Sequence, residues 1–337
     1  MPRHIPRRTL LAGGLAALGG LLGAVGLAGC DSTPDGRTTP VPSADPDGTG
    51  VPTTAGTHRV GTAEGEVSVP DSPQRVVVLD TAELDSALTL GVTPVGAARA
   101  SADPSLPNYW DAARVKDITL VGTIGNPDLS AVGALTPDLI LSNRTRDGDR
   151  YDSLTLLAPT VLTSTTGYPW KQNFQTHAQA LDQQASANLV TGAYAQHISQ
   201  AVESLGGHGH LRTQRISLLR FVEGRPPQLY ATRNFLGVVL DDLGFGRPAS
   251  QSGKVASVPL ADTARLADVD GSAIFYATYG DPVRAGTTAV VGSAAWNALG
   301  AVRAHQAFAV DDQLWFQGIG YTGANLVLSQ MQKFLQS

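Results

Sequence analysis

The side chains in this sequence best suited to hold a ligand are arginines and aromatic residues near the ends of apolar, strand-like runs. Arginine donates paired, charge-assisted hydrogen bonds to carboxylates, and an aromatic ring supplies an apolar face. The candidates of this kind, with one neighbouring amide, are Asn143, Arg144, Arg146, Arg220, Arg233, Tyr276, Tyr279, Trp315 and Trp170. This combination is typical of a site that binds an anionic ligand.

Most of these residues follow a predicted strand, where parallel α/β folds bind their ligands. Their positions are as follows: Asn143, Arg144 and Arg146 follow the run ending at Ser142, Arg220 closes a later run, Arg233 follows one ending at Ala231, Tyr276 and Tyr279 end or follow another, and Trp315 follows the last. Arginine supplies 20 of the 24 basic residues, so solvated surface arginines remain an alternative. Core packing is the alternative for Trp315 and Trp170.

The usual motifs of nucleophilic, phosphoryl-transfer and zinc enzymes do not occur. There is no Gly-x-x-x-x-Gly-Lys loop, Gly-x-Ser-x-Gly elbow or His-Glu-x-x-His pair. The close pair His208 and His210 lies in a glycine-rich segment that we interpret as a loop turn. We interpret Asp311-Asp312 as helix or turn residues that face solvent. We expect a binding protein with no catalytic residue, no site for a bare metal ion and no cofactor of its own.

Length and charge narrow the possible functional classes of the protein further. The chain of 337 residues carries a net charge of −5, and 24 basic against 29 acidic residues leave no excess for binding a nucleic-acid backbone. A single cysteine excludes an internal disulfide. We expect a monomeric globular protein of about two domains.

Residues 1–29 have the pattern of an export signal. Arg7 and Arg8 precede an apolar stretch from Leu10 to Leu27, which ends in the tetrapeptide Leu27-Ala28-Gly29-Cys30. The arginine pair resembles a twin-arginine signal. The tetrapeptide resembles the bacterial lipobox, in which the cysteine becomes lipidated, and a retained transmembrane anchor is the alternative.

Residues 30–57 predict a lipidated Cys30 followed by a flexible tether. Of the 27 residues from 31 to 57, 22 are Asp, Ser, Thr, Pro or Gly, a composition that cannot bury enough apolar surface to fold. We expect an extracytoplasmic protein anchored by lipid to the outer face of the cell membrane.

The rest of the chain alternates apolar strands with helical patterns. Residues 75–80 predict a strand, 83–90 a helix and 95–98 a second strand, which together form a βαβ unit. The alternation recurs between 139 and 163 and again beyond 208. Fully apolar strands separated by helices predict parallel sheets covered on both faces.

Strand signals vanish between about 172 and 206, where apolar residues recur every three to four positions. This spacing predicts a long helix. We therefore predict an α/β fold of two Rossmann-like lobes, at 58–180 and 208–337, joined by one long helix at 181–207, with a ligand cleft between the lobes.

Six short motifs occur in a specific order along the chain. They are GTIGNPDL at 122–129, LTPDLI at 135–140, LLAPTV at 156–161, YATRNF at 230–235, LGFGRP at 243–248 and VDDQLW at 310–315. In sequence and order they resemble the iron-siderophore substrate-binding lipoproteins of ABC transporters, and the resemblance extends over about 58–335.

The resemblance implies a rigid helix between the lobes, a cleft for a ferric siderophore or similar Fe(III) chelate, and delivery of that chelate to the subunits of an ABC permease. It also implies a role for Arg146, which matches the position of a cleft arginine in many members. Arg220 and Arg233 would then meet the same chelate from the second lobe.

Two positions depart from the family pattern. Acidic residues that pair with arginines of the permease usually stand where this chain has Ser130 and Ala264. The neighbouring Asp128 and Asp262 are possible substitutes. The alternative function is a cell-envelope adaptor that binds haem or another ligand and does not feed a permease.

Overall fold

The computed structural model describes residues 56–336, except for the side chains at 263 and 264. The predicted signal segment and nearly all of the tether lie outside these residues. The described part begins with an antiparallel hairpin of β1 (Thr57–Thr62) and β2 (Gly65–Pro70), whose buried Val60 and Val69 join the core of the first lobe.

The first lobe is built on a six-stranded sheet in the order β6-β5-β4-β3-β7-β8, parallel except for β6. Its strands are β3 (Val76–Val78), β4 (Gly96–Arg99), β5 (Thr119–Thr123), β6 (Asn126–Pro127), β7 (Leu139–Asn143) and β8 (Thr160–Thr163). Its helices are α1 (Thr81–Thr89), α2 (Ala112–Val115), α3 (Leu129–Ala134), α4 (Arg144–Asp147), α5 (Tyr151–Thr155) and α6 (Trp170–Ala180). Val76 and Val78 enter one buried cluster and Val77 another, because successive strand residues point to opposite faces.

The long helix between the lobes is α7 (Gln184–Ser204), with 21 residues. At 1.5 Å per residue it is about 30 Å long. A short helix, α8 (Gly207–Leu211), follows after Gly206, whose φ of 99° ends α7. The long helix predicted from the apolar spacing is therefore present.

The second lobe is built on a five-stranded sheet in the order β11-β10-β9-β12-β13. Its strands are β9 (Ile216–Val222), β10 (Gln228–Tyr230), β11 (Ser257–Pro259), β12 (Ala273–Tyr279) and β13 (Ala307–Ala309). Its helices are α9 (Phe235–Leu243), α10 (Thr287–Val291), α11 (Ala294–Asn297), α12 (Gly300–Arg303), α13 (Asp312–Trp315) and α14 (Tyr321–Leu335), and 3-10 turns lie at Gly148–Arg150, Ala249–Gln251 and Thr263–Val269.

The second sheet is mixed, which corrects the prediction of fully parallel sheets. β9, β12 and β13 are parallel, but β10 and β11 run antiparallel to their neighbours. A short turn leads from β9 to β10, and a parallel neighbour would need a much longer crossover.

The hydrophobic core is continuous between the lobes through a layer of helices. The rings of Trp170, Phe174, Tyr194, Phe235 and Tyr321 meet edge to face, with centroids 4.6 to 6.0 Å apart. These residues belong to α6, α7, α9 and α14, so both lobes share one packed centre. Within residues 56–336, no helix has the length and apolarity to cross a membrane.

Asp85 on α1 ties the C-terminal helix to the first lobe. Its carboxylate accepts the backbone N–H groups of Thr322 at 3.3 Å and Gly323 at 3.1 Å, at the start of α14. The hydroxyls of Thr89 and Tyr109 also donate to it, each at 3.1 Å. Burial raises the pKa of Asp85 to about 6. The end of the chain thus completes the core of its first lobe.

Candidate functional site

A cleft of about 590 Å³ opens between the two sheets. Its lining is mostly polar and charged, with a few apolar side chains, and it includes Asp80, Arg146, Arg220, Glu223, Arg225, Gln228, Tyr230, Tyr279, Phe316, Gln317 and Ile319. Several of these follow or end β3, β7, β9 and β12. This is the position at which open α/β sheets bind their ligands.

Arg146 forms the wall of the first lobe, and a single hydrogen bond anchors its side chain. Its Nε–H donates to Asp80 Oδ2 at 2.9 Å, and the side chain is 40% exposed. Asn143 sets this geometry, because its Oδ1 accepts the Arg146 backbone N–H at 3.2 Å while its Nδ2 donates to Asp80 at 3.2 Å. Four of the five guanidinium N–H donors therefore remain available to a ligand.

A buried acid lies directly behind this wall. Glu83 on α1 is fully buried, and its Oε1 accepts from Asn143 Nδ2 at 3.3 Å and lies 3.7 Å from His177 Nε2. Burial, reinforced by the charge of Asp80, raises the pKa of Glu83 to about 8. Burial lowers the pKa of His177 to about 3. Both buried groups are therefore uncharged at neutral pH.

Arg220 forms the wall of the second lobe and is held more tightly. Its Nε and Nη2 donate to the two carboxylate oxygens of Asp312 at 2.6 and 2.7 Å, and its Nη1 donates to the Tyr230 hydroxyl at 3.1 Å. Its guanidinium carbon lies 5.2 Å from the ring centre of Tyr279 and 5.4 Å from that of Phe316. The two partners of the ion pair are 15% and 6% exposed, and two N–H donors of Arg220 remain for a ligand.

Tyr279 also connects the two lobes beside the cleft. Its hydroxyl oxygen accepts the backbone N–H of Ala102 at 2.9 Å and lies 3.1 Å from the Ser101 hydroxyl. Gln317 makes a second bridge, because its Nε2 donates to Asp103 at 3.3 Å. The cleft is therefore closed by polar contacts on this side.

The structure brings Arg146, Arg220 and Tyr279, three of the predicted residues, to one cleft. Asn143 is fully buried behind the wall, where it caps α4 and orients Arg146. Arg144 is half-exposed and does not line the cleft, because its Nε donates to Glu64 at 2.6 Å.

Three aromatic residues predicted at the site are packed elsewhere. Trp315 is fully buried against Phe275, with centroids 4.6 Å apart, and its Nε1–H donates to Gln330 at 2.7 Å. Trp170 is buried in the aromatic group shared by the lobes, and Tyr276 packs edge to face on Trp296. A strand end fixes where the backbone lies, whereas large apolar rings turn towards the core because burying them is favourable.

Arg233 is also separated from the cleft. It lines a different cavity with Tyr168, whose ring centre lies 5.7 Å from the Arg233 guanidinium carbon. The preceding strand, β10, runs antiparallel to β9, so its carboxyl end points away from the cleft. The rule that ligands meet strand ends applies to the parallel strands of this sheet.

Sequence reasoning missed Asp80, Arg225 and Asp312. The signal for Asp80 was available, because this acid closes an apolar run and caps α1. Arg225 lies in the turn between β9 and β10. The expectation that Asp312 faces solvent is wrong, since it is buried beneath Arg220.

Among residues 56–336 there is no group of three or more His, Cys, Asp or Glu side chains that could hold a metal ion. His208 and His210 lie in the helix α8 rather than in the predicted loop turn.

Comparison with known proteins agrees with this geometry. Residues 76–314 match the family model described as periplasmic binding protein. The probable siderophore-binding lipoprotein YfiY of Bacillus subtilis (strain 168) is 30% identical over 290 residues, which cover 82% of this chain and 86% of that protein. The Fe(3+) dicitrate-binding periplasmic protein FecB of Escherichia coli (strain K12) is 25% identical, covering 80% of this chain and 87% of its own.

A solved structure shows the same fold. Staphylococcus aureus SirA complexed with staphyloferrin B matches with a TM-score of 0.75 at 24% identity, over 83% of this chain and 99% of that one. The two-lobed α/β prediction is confirmed. The chain belongs to the periplasmic binding protein family, and it is a binding protein rather than an enzyme.

Proposed function

We propose that this protein binds an anionic ferric chelate of the siderophore class and delivers it to an ABC permease. The observation that carries the proposal is a pair of arginines from opposite lobes, Arg146 and Arg220, on the walls of one cleft. Their free N–H groups suit the carboxylates of a chelate. The rings of Tyr279 and Phe316 supply apolar contact for the rest of it.

A carboxylate-rich chelate fits these walls best. Arg146 keeps four N–H donors free and Arg220 keeps two, while Arg225 adds an exposed cation that forms no ion pair with any residue of the range 56–336. Relatives named for binding Fe(3+)-citrate and Fe(3+)-dicitrate favour the same class. In this proposal iron arrives inside the chelate, so the protein needs no cofactor of its own.

Titration of the protein with ferric citrate, a ferric catecholate and a neutral ferric hydroxamate tests the proposal by calorimetry. A charge-assisted contact contributes about 1.5 to 3 kcal/mol, so Arg146→Ala should weaken the binding of an anionic chelate about tenfold to a hundredfold. The loss should be smaller for the neutral chelate, because it carries no charge for Arg146 to meet.

Arg144→Ala is the matched control, since this arginine pairs with Glu64 instead of lining the cleft and its loss should leave affinity unchanged. Equal affinities of the wild type and Arg146→Ala for every chelate that binds would remove Arg146 from the site. If the wild type bound none of the three chelates, the proposal would be overturned in favour of an adaptor for haem or another ligand.

We also propose that a lipid on Cys30 anchors the protein to the outer face of the cell membrane. The lipobox-like sequence supports this, as do relatives named as lipoproteins. Cys30→Ala should move the protein from the membrane fraction to the soluble fraction, because residues 31–57 contain no apolar run. A variant that resists a carbonate wash would indicate a retained transmembrane segment.

Delivery requires docking on a permease, and the first lobe offers one exposed acid beside the atypical Ser130. Asp128 caps α3 by accepting the N–H groups of Ser130 at 2.9 Å and Ala131 at 3.1 Å. This arrangement supports Asp128 as the acid that replaces the usual one. The side chain of Ala264 lies outside the described part of the structure.

A further inference from the structure

A second cavity, of about 390 Å³, lies between the first-lobe loop that carries Tyr168 and the helix α9. It shares no lining residue with the cleft. Its lining contains three cations, Arg233, Arg247 and Lys254, and one acid, Asp241. The cavity is therefore positively charged.

Within the described range 56–336, the guanidinium of Arg247 forms no ion pair. Its Nη groups donate to the carbonyl oxygens of Tyr230 and Ala231 and to Gln251 Oε1, which are all neutral acceptors, and its Nε–H is buried with no acceptor. Burial lowers the pKa of Arg247 to about 10, so it stays charged at neutral pH. Arg247 is only partly exposed, and a charge withdrawn from water is normally paired because an unpaired one is costly.

Arg233 and Lys254 are exposed cations at the mouth of this cavity, and neither forms an ion pair with any residue in 56–336. Hydrogen bonds join the two backbone segments that carry these residues. The Arg233 N–H donates to the Val255 carbonyl at 2.9 Å, and the Thr232 hydroxyl donates to the Gly253 carbonyl at 2.7 Å. Their two segments are thereby joined side by side.

Gly237 makes this close packing possible. A Cβ atom at Gly237 would stand 2.6 Å from the Thr232 carbonyl oxygen, closer than any side chain tolerates. The segment that carries Arg233 therefore lies directly against α9, and the fold sets the position of its backbone.

The nearby acid Asp242 does not neutralise these cations, because other groups occupy it. Lys171 Nζ contacts both of its carboxylate oxygens at 2.6 Å, and the Tyr194 hydroxyl donates to it at 2.7 Å. The lining also includes the side chains of Tyr168, Val238 and Phe245, which offer apolar surface beside the cations. A cavity that combines several cations with apolar surface suits an organic anion better than an inorganic one.

We propose that this cavity is a second binding site, separate from the cleft, for a small organic anion that carries a phosphate or carboxylate group on an apolar body. Arg233 and Lys254 hold the acid group, Arg247 supplies the field of an uncompensated charge, and Tyr168 and Phe245 contact the apolar body. Tyr168 belongs to the first lobe and Arg233 to the second, so the bound anion bridges the lobes.

Calorimetric titration with phenyl phosphate in 150 mM salt tests the site, with inorganic phosphate and phenol as the comparison probes. We expect phenyl phosphate to bind at least tenfold more tightly than inorganic phosphate, and phenol not to bind. Arg233→Gln should weaken phenyl phosphate binding at least tenfold and leave the affinity for ferric citrate unchanged.

Arg146→Ala is the matched control, because it removes a cleft arginine and should not affect phenyl phosphate binding. Thermal unfolding of each variant checks that it is folded, and Lys254→Gln provides a second variant on the surface. Failure of the wild type to bind phenyl phosphate would overturn this proposal, as would equal binding of inorganic phosphate or a loss caused by Arg146→Ala in place of Arg233→Gln. Binding of ferric chelates is measured in separate titrations, so either proposal can be overturned without the other.

Discussion

On the wall of the first lobe, Arg146 is held by one hydrogen bond to Asp80 and is 40% exposed, whereas on the facing wall Arg220 uses three N–H donors on Asp312 and Tyr230 and is 15% exposed. The first arginine can follow the shape of a ligand. The second is fixed before the ligand arrives, between the rings of Tyr279 and Phe316. A cleft built this way combines one preorganised contact with one adaptable contact.

The largest effect should come from Arg220→Ala, because it leaves Asp312 buried without its partner. Removing one member of a buried ion pair costs about 3 to 5 kcal/mol of stability, and chelate affinity should fall more than a hundredfold. By contrast, Arg146→Ala should cost less stability, because the buried Asp80 still accepts hydrogen bonds from the Thr81 N–H and from Asn143 Nδ2. Urea unfolding and calorimetry measure the two quantities.

The double variant Arg220→Ala/Asp312→Ala is the control for this prediction. It should recover much of the lost stability, because no buried charge remains, but it should not recover chelate binding. If Arg220→Ala alone unfolded like the wild type, the two walls would not differ in the way described.

A smaller effect concerns pH and belongs to the wall of Arg146. The unfolded chain releases the Glu83 proton near pH 4.5, whereas the folded protein keeps it to about pH 8. The folded state therefore binds more protons in this window, and the free energy of unfolding falls as pH rises. His177 has the opposite effect on the free energy of unfolding between pH 3 and 6.5. Between pH 6.5 and 8 it no longer opposes the effect of Glu83.

We expect the wild type to lose about 2 kcal/mol of stability between pH 6.5 and 8, at about 1.4 kcal/mol per pKa unit. Glu83→Gln should abolish this loss while keeping the oxygen that accepts from Asn143. Urea unfolding at the two pH values measures it. The same slope in the variant and the wild type would show that Glu83 is not the titrating group.

The smallest effect should come from Tyr279→Phe, which removes the hydrogen bonds to the first lobe and keeps the ring beside Arg220. One hydrogen bond contributes about 1 kcal/mol, so the free energy of unfolding, measured with urea, should fall by about that amount. Tyr279→Leu removes the ring as well and should cost more. Equal losses in the two variants would mean that the ring contributes nothing to holding Arg220.

Local signals predicted the elements that depend on local packing. The strand at Val76–Val78 and the helix α1 were predicted because continuous apolar residues or helical spacing define them without help from distant residues. β10 and β11 have three residues each and are only partly buried, so the short run ending at Ala231 marks β10 without its direction and no apolar run marks β11. Their antiparallel course depends on pairing with distant strands.

The residues of the candidate site were also predicted only in part. Arg146, Arg220 and Tyr279 were found because the ends of parallel strands converge on one edge of a sheet. Trp315 and Arg233 were misplaced because strand position does not give the direction of a side chain or of an antiparallel strand. The pairing of Arg220 with Asp312 joins residues 92 positions apart, and spacing alone cannot show such a pair.

The contact between Asp85 and the start of α14 joins residues 238 positions apart in the chain. Until the last helix has left the ribosome, the first lobe lacks both the cap partner of Asp85 and the ring of Tyr321. The packed centre that the lobes share is therefore complete only when the last helix is in place. A chain cut short before Tyr321 would lack these contacts, and we expect proteases to cut it faster than the full chain.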